Sequence, residues 1–378
     1  MTMDGAVWKH RNPLVHTRKA LEEGQLTVGF IGGSITDARP RHNWPEPVIA
    51  WIVEQYPQAR IVVENAAIGA TGSELAVFRA KRDLIDRGCQ LVFIDYAVND
   101  SGEPTDKRQR TREGLVRKLL EDGSRDIVFT HTFMQSMYAA MSEDGVPDTI
   151  AELETLADHY GIGSIWMGLH ALEEVRKGRM RWEEWLPDGL HPTHRGSLSY
   201  AQSIVAFLEK ELYNQHNQRL HPEVKPPNFQ DSLQQQQLPE PLHPHHWGDA
   251  ELLPLTEVRT EGPWVLRRWP FYEWIDQVLE TAAVGAKLAF SFEGRGLSLG
   301  FDFGKTSSEF RYRIDGGDWV ATSRERPDWC GDDGWYRDNF LGDELPAGKH
   351  KFELEVIHGD RAECRGTNFR LAHIGVIR

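Results

Sequence analysis

The sequence predicts a two-part molecule: a doubly wound, flavodoxin-like three-layer α/β/α sandwich on a five-stranded parallel sheet, followed by a smaller all-β sandwich of the jelly-roll kind. Three observations carry this. From about residue 14 to residue 213, segments of strand character alternate with segments of helical period. From 214 to 250 that periodicity gives way to proline and glutamine. From 251 onward the helical period is gone, and short runs of β-branched and aromatic residues replace it. A chain of 378 residues is also too long for one ordinary core. Two domains, 1–213 and 251–378, are therefore expected, with 214–250 as a linker or wrapping arm.

Asn12-Pro13 reads as a cap and first-turn proline for a helix over Leu14 to Glu22, closed by Gly24. Thr27 to Ile31 is the first strand. Trp44 to Tyr56 has apolar residues at Val48, Ile49, Ile52, Val53 and Tyr56, a helical spacing whose two prolines stay in the first turn. Arg60 to Asn65 is the second strand, Ser73 caps a helix to about Arg87, and Leu91 to Tyr96 is the third strand. Asp106 to Leu120 is helical up to Gly123. Strands at Ile127 to Thr130 and Ile162 to Met167 flank a helix at Thr149 to Tyr160, and a last helix covers Gly196 to Tyr213. Right-handed crossovers then put helices on both faces of the sheet. In the last third, Lys287 to Phe292, Gly296 to Phe303, Phe310 to Ile314, Lys351 to Ile357 and Phe369 to Val376 read as strands. Asp315-Gly316-Gly317 and Pro346-Ala347-Gly348 are turns between them.

Composition narrows the function. A formal charge of -14, with no long basic run, excludes a nucleic-acid backbone as partner. No window approaches a membrane span and the amino terminus lacks a secretory pattern, which points to a cytoplasmic protein without a membrane partner. Cys89, Cys330 and Cys364 show no Cys-x-x-Cys spacing and cannot all pair, which fits a reducing compartment.

The chemistry begins at Gly32-Gly33-Ser34-Ile35-Thr36, where a hydroxyl follows a buried strand and two glycines let backbone amides approach a ligand. With the strands wound 2-1-3-4-5, the loop Ile68 to Gly72 and the loop Ala97 to Asp100 meet the Ser34 loop at one spot. A serine can attack there, a glycine-bearing turn can aim N–H groups, and the Asn99 amide can donate to a developing oxyanion. Asp188-Gly189-Leu190-His191 supplies the base. Its spacing lets the carboxylate reach the imidazole Nδ1–H and leaves Nε2 to take the serine proton.

These four blocks, in this order over residues 26 to about 213, resemble the SGNH, or GDSL-type, hydrolase superfamily. The resemblance implies Ser34 as nucleophile, His191 as general base and acid, and Asp188 as its orienting carboxylate. It also implies an oxyanion hole of the Ser34 amide, a glycine-block amide and the Asn99 side chain. The family's Gly-Asp-Ser-Leu is here Gly32-Gly33-Ser34-Ile35, its third-block glycine is Ala97, and its second-block glycine aligns with Ala70 beside Gly69. Either Gly69 or Ala70 can donate the backbone amide.

Asp95 and Asp100 are expected to be solvated carboxylates beside a strand end, and His194 a surface residue. His243, His245 and His246 could bind a metal only adventitiously, so neither metal nor organic cofactor is expected. His42 and Trp44, soon after the nucleophile, are candidates to wall the acyl pocket. Tryptophans are dense in the second part, at 247, 264, 269, 274, 319, 329 and 335. Trp329 and Trp335, in a loop-like stretch, are the ones expected to meet a sugar ring. The combined expectation is a serine esterase that removes a short acyl group, acetyl by preference, from a small acylated carbohydrate. Its rivals are a short-chain lipid ester or thioester hydrolase and a catalytically relict carbohydrate-binding protein. A homo-oligomer is compatible with the long arm.

Overall fold

The computed structural model describes residues 6–11, 13–37, 43–143, 145–212, 238–269, 271–272, 275–332 and 335–378, without the side chains of residues 302, 303, 329 and 335. It divides into two compact units, 1–248 and 249–378.

The first unit begins with a two-residue strand β1 (Trp8–Lys9) and helix α1 (Val15–Glu22). There follow β2 (Gln25–Gly32), α2 (Ser34–Asp37), α3 (Pro45–Gln55), β3 (Arg60–Asn65) and α4 (Ser73–Ala80), which runs on through a π-turn to Ile85. Next are β4 (Leu91–Asp95), α5 (Thr105–Leu120), β5 (Asp126–Thr130), α6 (Tyr138–Ser142), α7 (Asp148–Tyr160) and β6 (Gly163–Ile165). The unit's last helices are α8 (Met167–Arg176), α9 (Trp182–Trp185) and α10 (His194–Glu211).

Strands β3-β2-β4-β5-β6 are parallel in the order the winding requires. The sheet gains one strand that the sequence reading lacks: β1 pairs antiparallel with β6. Two residues carry no readable alternation, so only pairing reveals this strand. The fifth parallel strand is also shorter than expected, three residues, because Met167 already begins α8. Helices α4, α5 and α7 pack as one group and α3, α8, α9 and α10 as another, with β2 and β4 buried along their length except Gln25.

Residues 238–248, the part of the expected arm that is described and belongs to the first unit, are clasped onto α5. Glu113, fully buried, accepts hydrogen bonds from the Leu242 and His243 backbone N–H groups, each at 2.7 Å. Arg117 Nη1 donates to the Pro239 carbonyl (2.7 Å). Trp247 is buried against Phe78, and its backbone comes so close to α5 that a Cβ on Gly114 would stand 2.6 Å from it. Trp247 is thus a packing residue.

The second unit contains β7 (Glu251–Leu253), β8 (Arg259–Glu261), β9 (Val265–Arg268), β10 (Gln277–Thr281), β11 (Lys287–Gly294) and β12 (Gly296–Phe303). It continues with β13 (Glu309–Ile314), β14 (Val320–Ala321), β15 (Trp335–Gly342), β16 (Gly348–Ile357) and β17 (Phe369–Ile377). One antiparallel sheet runs β15-β12-β17-β10-β9, with β7 also on β17, and the other runs β14-β13-β16-β11-β8. Alternate residues of the two sheets, among them Phe290, Phe292, Leu299, Phe301, Phe310, Phe352, Leu354, Phe369 and Leu371, form one apolar cluster. This is the period-2 pattern of a sandwich with one buried face per sheet.

Candidate active site

Strand β2 ends at Gly32, and the chain turns at Gly33 straight into α2, so Ser34 stands at the carboxyl end of a central strand. As the first residue of a helix, its N–H has no intrahelical acceptor. Glycine is required at 33 by close approach: a Cβ there would lie 2.0 Å from Asn99 Oδ1 and 2.4 Å from Asn99 Nδ2. The Asn99 amide therefore lies against the backbone next to Ser34. From the other side the loop after β3 brings Gly69 in, where an added Cβ would sit 3.7 Å from the Ser34 Cβ. Ala70 follows with φ of +57°, a left-handed conformation unusual for a residue with a side chain.

The fourth block arrives from the turn before α10. Gly189 sits at φ +77°, which lets the chain fold back so that Asp188 Oδ1 accepts from the backbone N–H groups of Leu190 (2.9 Å) and His191 (2.7 Å). Asp188 Oδ2 faces His191 Nδ1 at 2.9 Å, and His191 Nε2 faces Ser34 Oγ at 2.9 Å. Since Nδ1 must donate to the carboxylate, Nε2 is left to accept from the serine hydroxyl. Partial burial opposes the charge on Asp188, but hydrogen bonds from the His191 ring and from the two backbone amides outweigh it and hold the carboxyl below its ordinary range. The Asp188 and His191 side chains are about half exposed, so the relay is open to a ligand. A hydroxyl on the free nitrogen of an imidazole tied to a carboxylate can be deprotonated as it attacks a carbonyl.

The supports of these loops escaped the sequence reading. Asp95 and Asp100 are both buried, contrary to the solvated role expected of them. Asp100 accepts from Ser73 N–H (2.9 Å), Ser73 Oγ (2.8 Å) and Arg112 Nε (2.7 Å), joining the Asn99 loop to the start of α4 and to α5. Arg112 also donates to the Tyr96 carbonyl (3.1 Å). Burial pushes the Asp95 carboxyl up to about 6, against the pull of hydrogen bonds from Thr132 and Thr36 and of nearby His131. Gln135 N–H donates to the Gly189 carbonyl (2.8 Å) and steadies the turn that carries Asp188. One signal was available: Arg108 and Arg112 share a helical face with Leu115 and Leu119, and a cation on an apolar face needs a buried anion.

Other expected site residues fare differently. Trp44 is fully buried, edge-on to Phe30 and Phe93, and offers a ligand no surface. Its position at the start of α3 turns the ring into the core beneath β2 and β4. His42 and Trp274 lie outside the described residues, as do the side chains of Trp329 and Trp335. Trp264 packs on Phe369, and Trp269 is buried under the Arg370 guanidinium. Trp319 is about a third exposed, against Arg311 and Arg313. His194 is exposed, and no group of three metal-ligating side chains is found among the described residues. All three cysteines are buried free thiols.

Residues 30–197, which span the serine, glycine, asparagine and Asp-x-x-His blocks, match the family model described as GDSL-like lipase/acylhydrolase. These residues form a GDSL-like lipase/acylhydrolase domain. It is the domain of an ester-bond hydrolase. No curated protein matches the sequence significantly. Among solved structures, the chain resembles a two-domain esterase active on acetylated mannans, co-crystallized with mannopentaose. The TM-score is 0.77 and the identity 21%, over 97% of this chain and 96% of that one. A second structure of a two-domain esterase active on acetylated mannans gives a TM-score of 0.75 at 21% identity, over 98% of both chains. The likeness shows the fold: an α/β domain followed in the same chain by a β-sandwich. Among the described residues no helix is long and apolar enough to cross a membrane.

Proposed function

We propose that this chain is a serine esterase that removes acetyl groups from a carbohydrate. The observation that carries the chemistry is the unbroken line Asp188 Oδ2, His191 Nδ1 and Nε2, Ser34 Oγ, with both gaps at 2.9 Å. Ser34 Oγ attacks the ester carbonyl carbon while His191 Nε2 takes its proton, and Asp188 stabilises the imidazolium. The carbonyl oxygen becomes an oxyanion that accepts from the Ser34 amide, the Gly69 or Ala70 amide and the Asn99 side chain. Among the described residues nothing hydrogen-bonds the Asn99 amide, which leaves it able to donate. His191 returns the proton to the departing sugar oxygen. Water then attacks the acyl-serine by the same route and releases acetate. The carbohydrate part rests on the two-domain fold shared with esterases active on acetylated mannans.

The test is acetate release from acetylated oligosaccharides beside hydrolysis of p-nitrophenyl esters of graded chain length. Turnover is expected on the acetylated sugar and on acetyl to butyryl esters. Preference for acyl chains of eight carbons or more would remove the carbohydrate assignment and favour a lipid ester substrate.

A further inference from the structure

We infer that Thr36 and Asp95 are positioning residues for the nucleophile, holding the short helix that carries Ser34 through a buried chain of hydrogen bonds. The inference rests on Ser34 being the attacking group. The indole Nε1–H of Trp44 donates to Thr36 Oγ1 (3.2 Å), and Thr36 Oγ1 donates to Asp95 Oδ2 (2.8 Å). From the far side Thr132 Oγ1 donates to Asp95 Oδ1 (2.8 Å). Trp44, Thr36 and Thr132 are fully buried and Asp95 is 2% exposed, so these groups have one another, and not water, as partners.

Helix α2 has four residues, too few to hold a conformation by its own backbone bonds, and needs an outside anchor. Thr36 is that anchor, two residues after Ser34. The fit beneath it is tight: a Cβ on Gly32 would lie 2.9 Å from Thr36 Oγ1 and 3.0 Å from the Asp95 carbonyl oxygen. The carboxylate that receives Thr36 opens the loop that ends in Asn99, whose amide rests on Gly33. One segment, 95–99, therefore sets both the helix carrying the attacking oxygen and the amide beside it. An error of about 1 Å in such a placement can lower a rate about 100-fold.

A hydroxyl that merely fills the core would be replaceable by a methyl group of the same shape, whereas an anchor would not. Thr36→Val is expected to keep KM for p-nitrophenyl acetate within about twofold and to lower kcat by about 10- to 100-fold, while Thr36→Ser restores most of it. Fluorophosphonate labelling of Ser34 should slow in parallel. Asp95→Asn is expected to raise Tm at neutral pH while lowering kcat, opposite signs that loss of core packing does not produce. A folded Thr36→Val enzyme with kcat within twofold of wild type overturns the inference. If Thr36→Val does not fold, Trp44→Phe, which removes the indole donor together with part of the buried ring, is expected to lower kcat about 3- to 10-fold, and an unchanged kcat overturns it equally. Ser34→Ala, measured alongside, separates the two readings. Turnover surviving in Ser34→Ala overturns the proposed function and this inference together, whereas its loss there with undiminished Thr36→Val overturns this inference alone.

Discussion

Two carboxylates of the first unit are held in opposite ways. Asp188 lies on a surface turn with a half-exposed side chain, tied to an imidazole and two backbone amides, and its carboxyl is held below the ordinary range. Asp95 is buried at the end of β4, with two hydroxyl donors, and its carboxyl is pushed up to about 6. In the proposed mechanism the exposed one faces the place where charge changes during the reaction. The buried one holds the frame that keeps that place still. Charge on Asp188 is thus favoured by its partners, while charge on Asp95 is tolerated for the geometry it maintains, a division seen where activity trades against stability.

Breaking the exposed relay should give the largest effect on rate and little on folding. Ser34→Ala or His191→Ala is expected to lower kcat by about 10³- to 10⁶-fold, and Asp188→Asn by about 10²- to 10⁴-fold, in steady-state assays with p-nitrophenyl acetate. Tm should stay within a degree or two, since these side chains are not core residues. A Ser34→Ala protein that melts far below wild type would contradict that separation.

Breaking the buried frame should do the reverse. Arg112→Met leaves Asp100, 1% exposed, without its cation and is expected to cost about 3–5 kcal/mol in denaturant unfolding. An unchanged midpoint would show that the pair is dispensable to the fold.

The smallest effect sharpens the contrast by sign. Because the fold raises the Asp95 carboxyl above its unfolded value, the stability linked to it is present in full below pH about 4 and is lost as pH rises through about 6. At neutral pH the buried charge costs on the order of 3 kcal/mol. Asp95→Asn should therefore gain on wild type as pH rises from 4 to 7 in urea titrations, and a constant difference would mean that Asp95 does not titrate in that window. Asp188 acts the other way: its depressed carboxyl adds stability above its unfolded value that is lost as pH falls, weakly, because the group is exposed.

The chain-order signals were legible because they are local. Parallel strands such as Leu91–Asp95 show as apolar runs, and the serine and Asp-x-x-His blocks show as turns whose neighbours in sequence are neighbours in space. The β1 strand was illegible for the opposite reason, since two residues become a strand only when β6 lies beside them.

The amino-acid order alone determined which residue types could perform acyl transfer and along which strands they would be carried, because side-chain chemistry and strand period are properties of short stretches. Tertiary structure decided which carboxylates face water and which tryptophans face a neighbour. Burial depends on partners such as Thr132, 37 positions from Asp95, and no local window contains them. Asp95, Asp100 and Trp44 became supports of the site for that reason, and Ser34 and His191, 157 positions apart, became a pair.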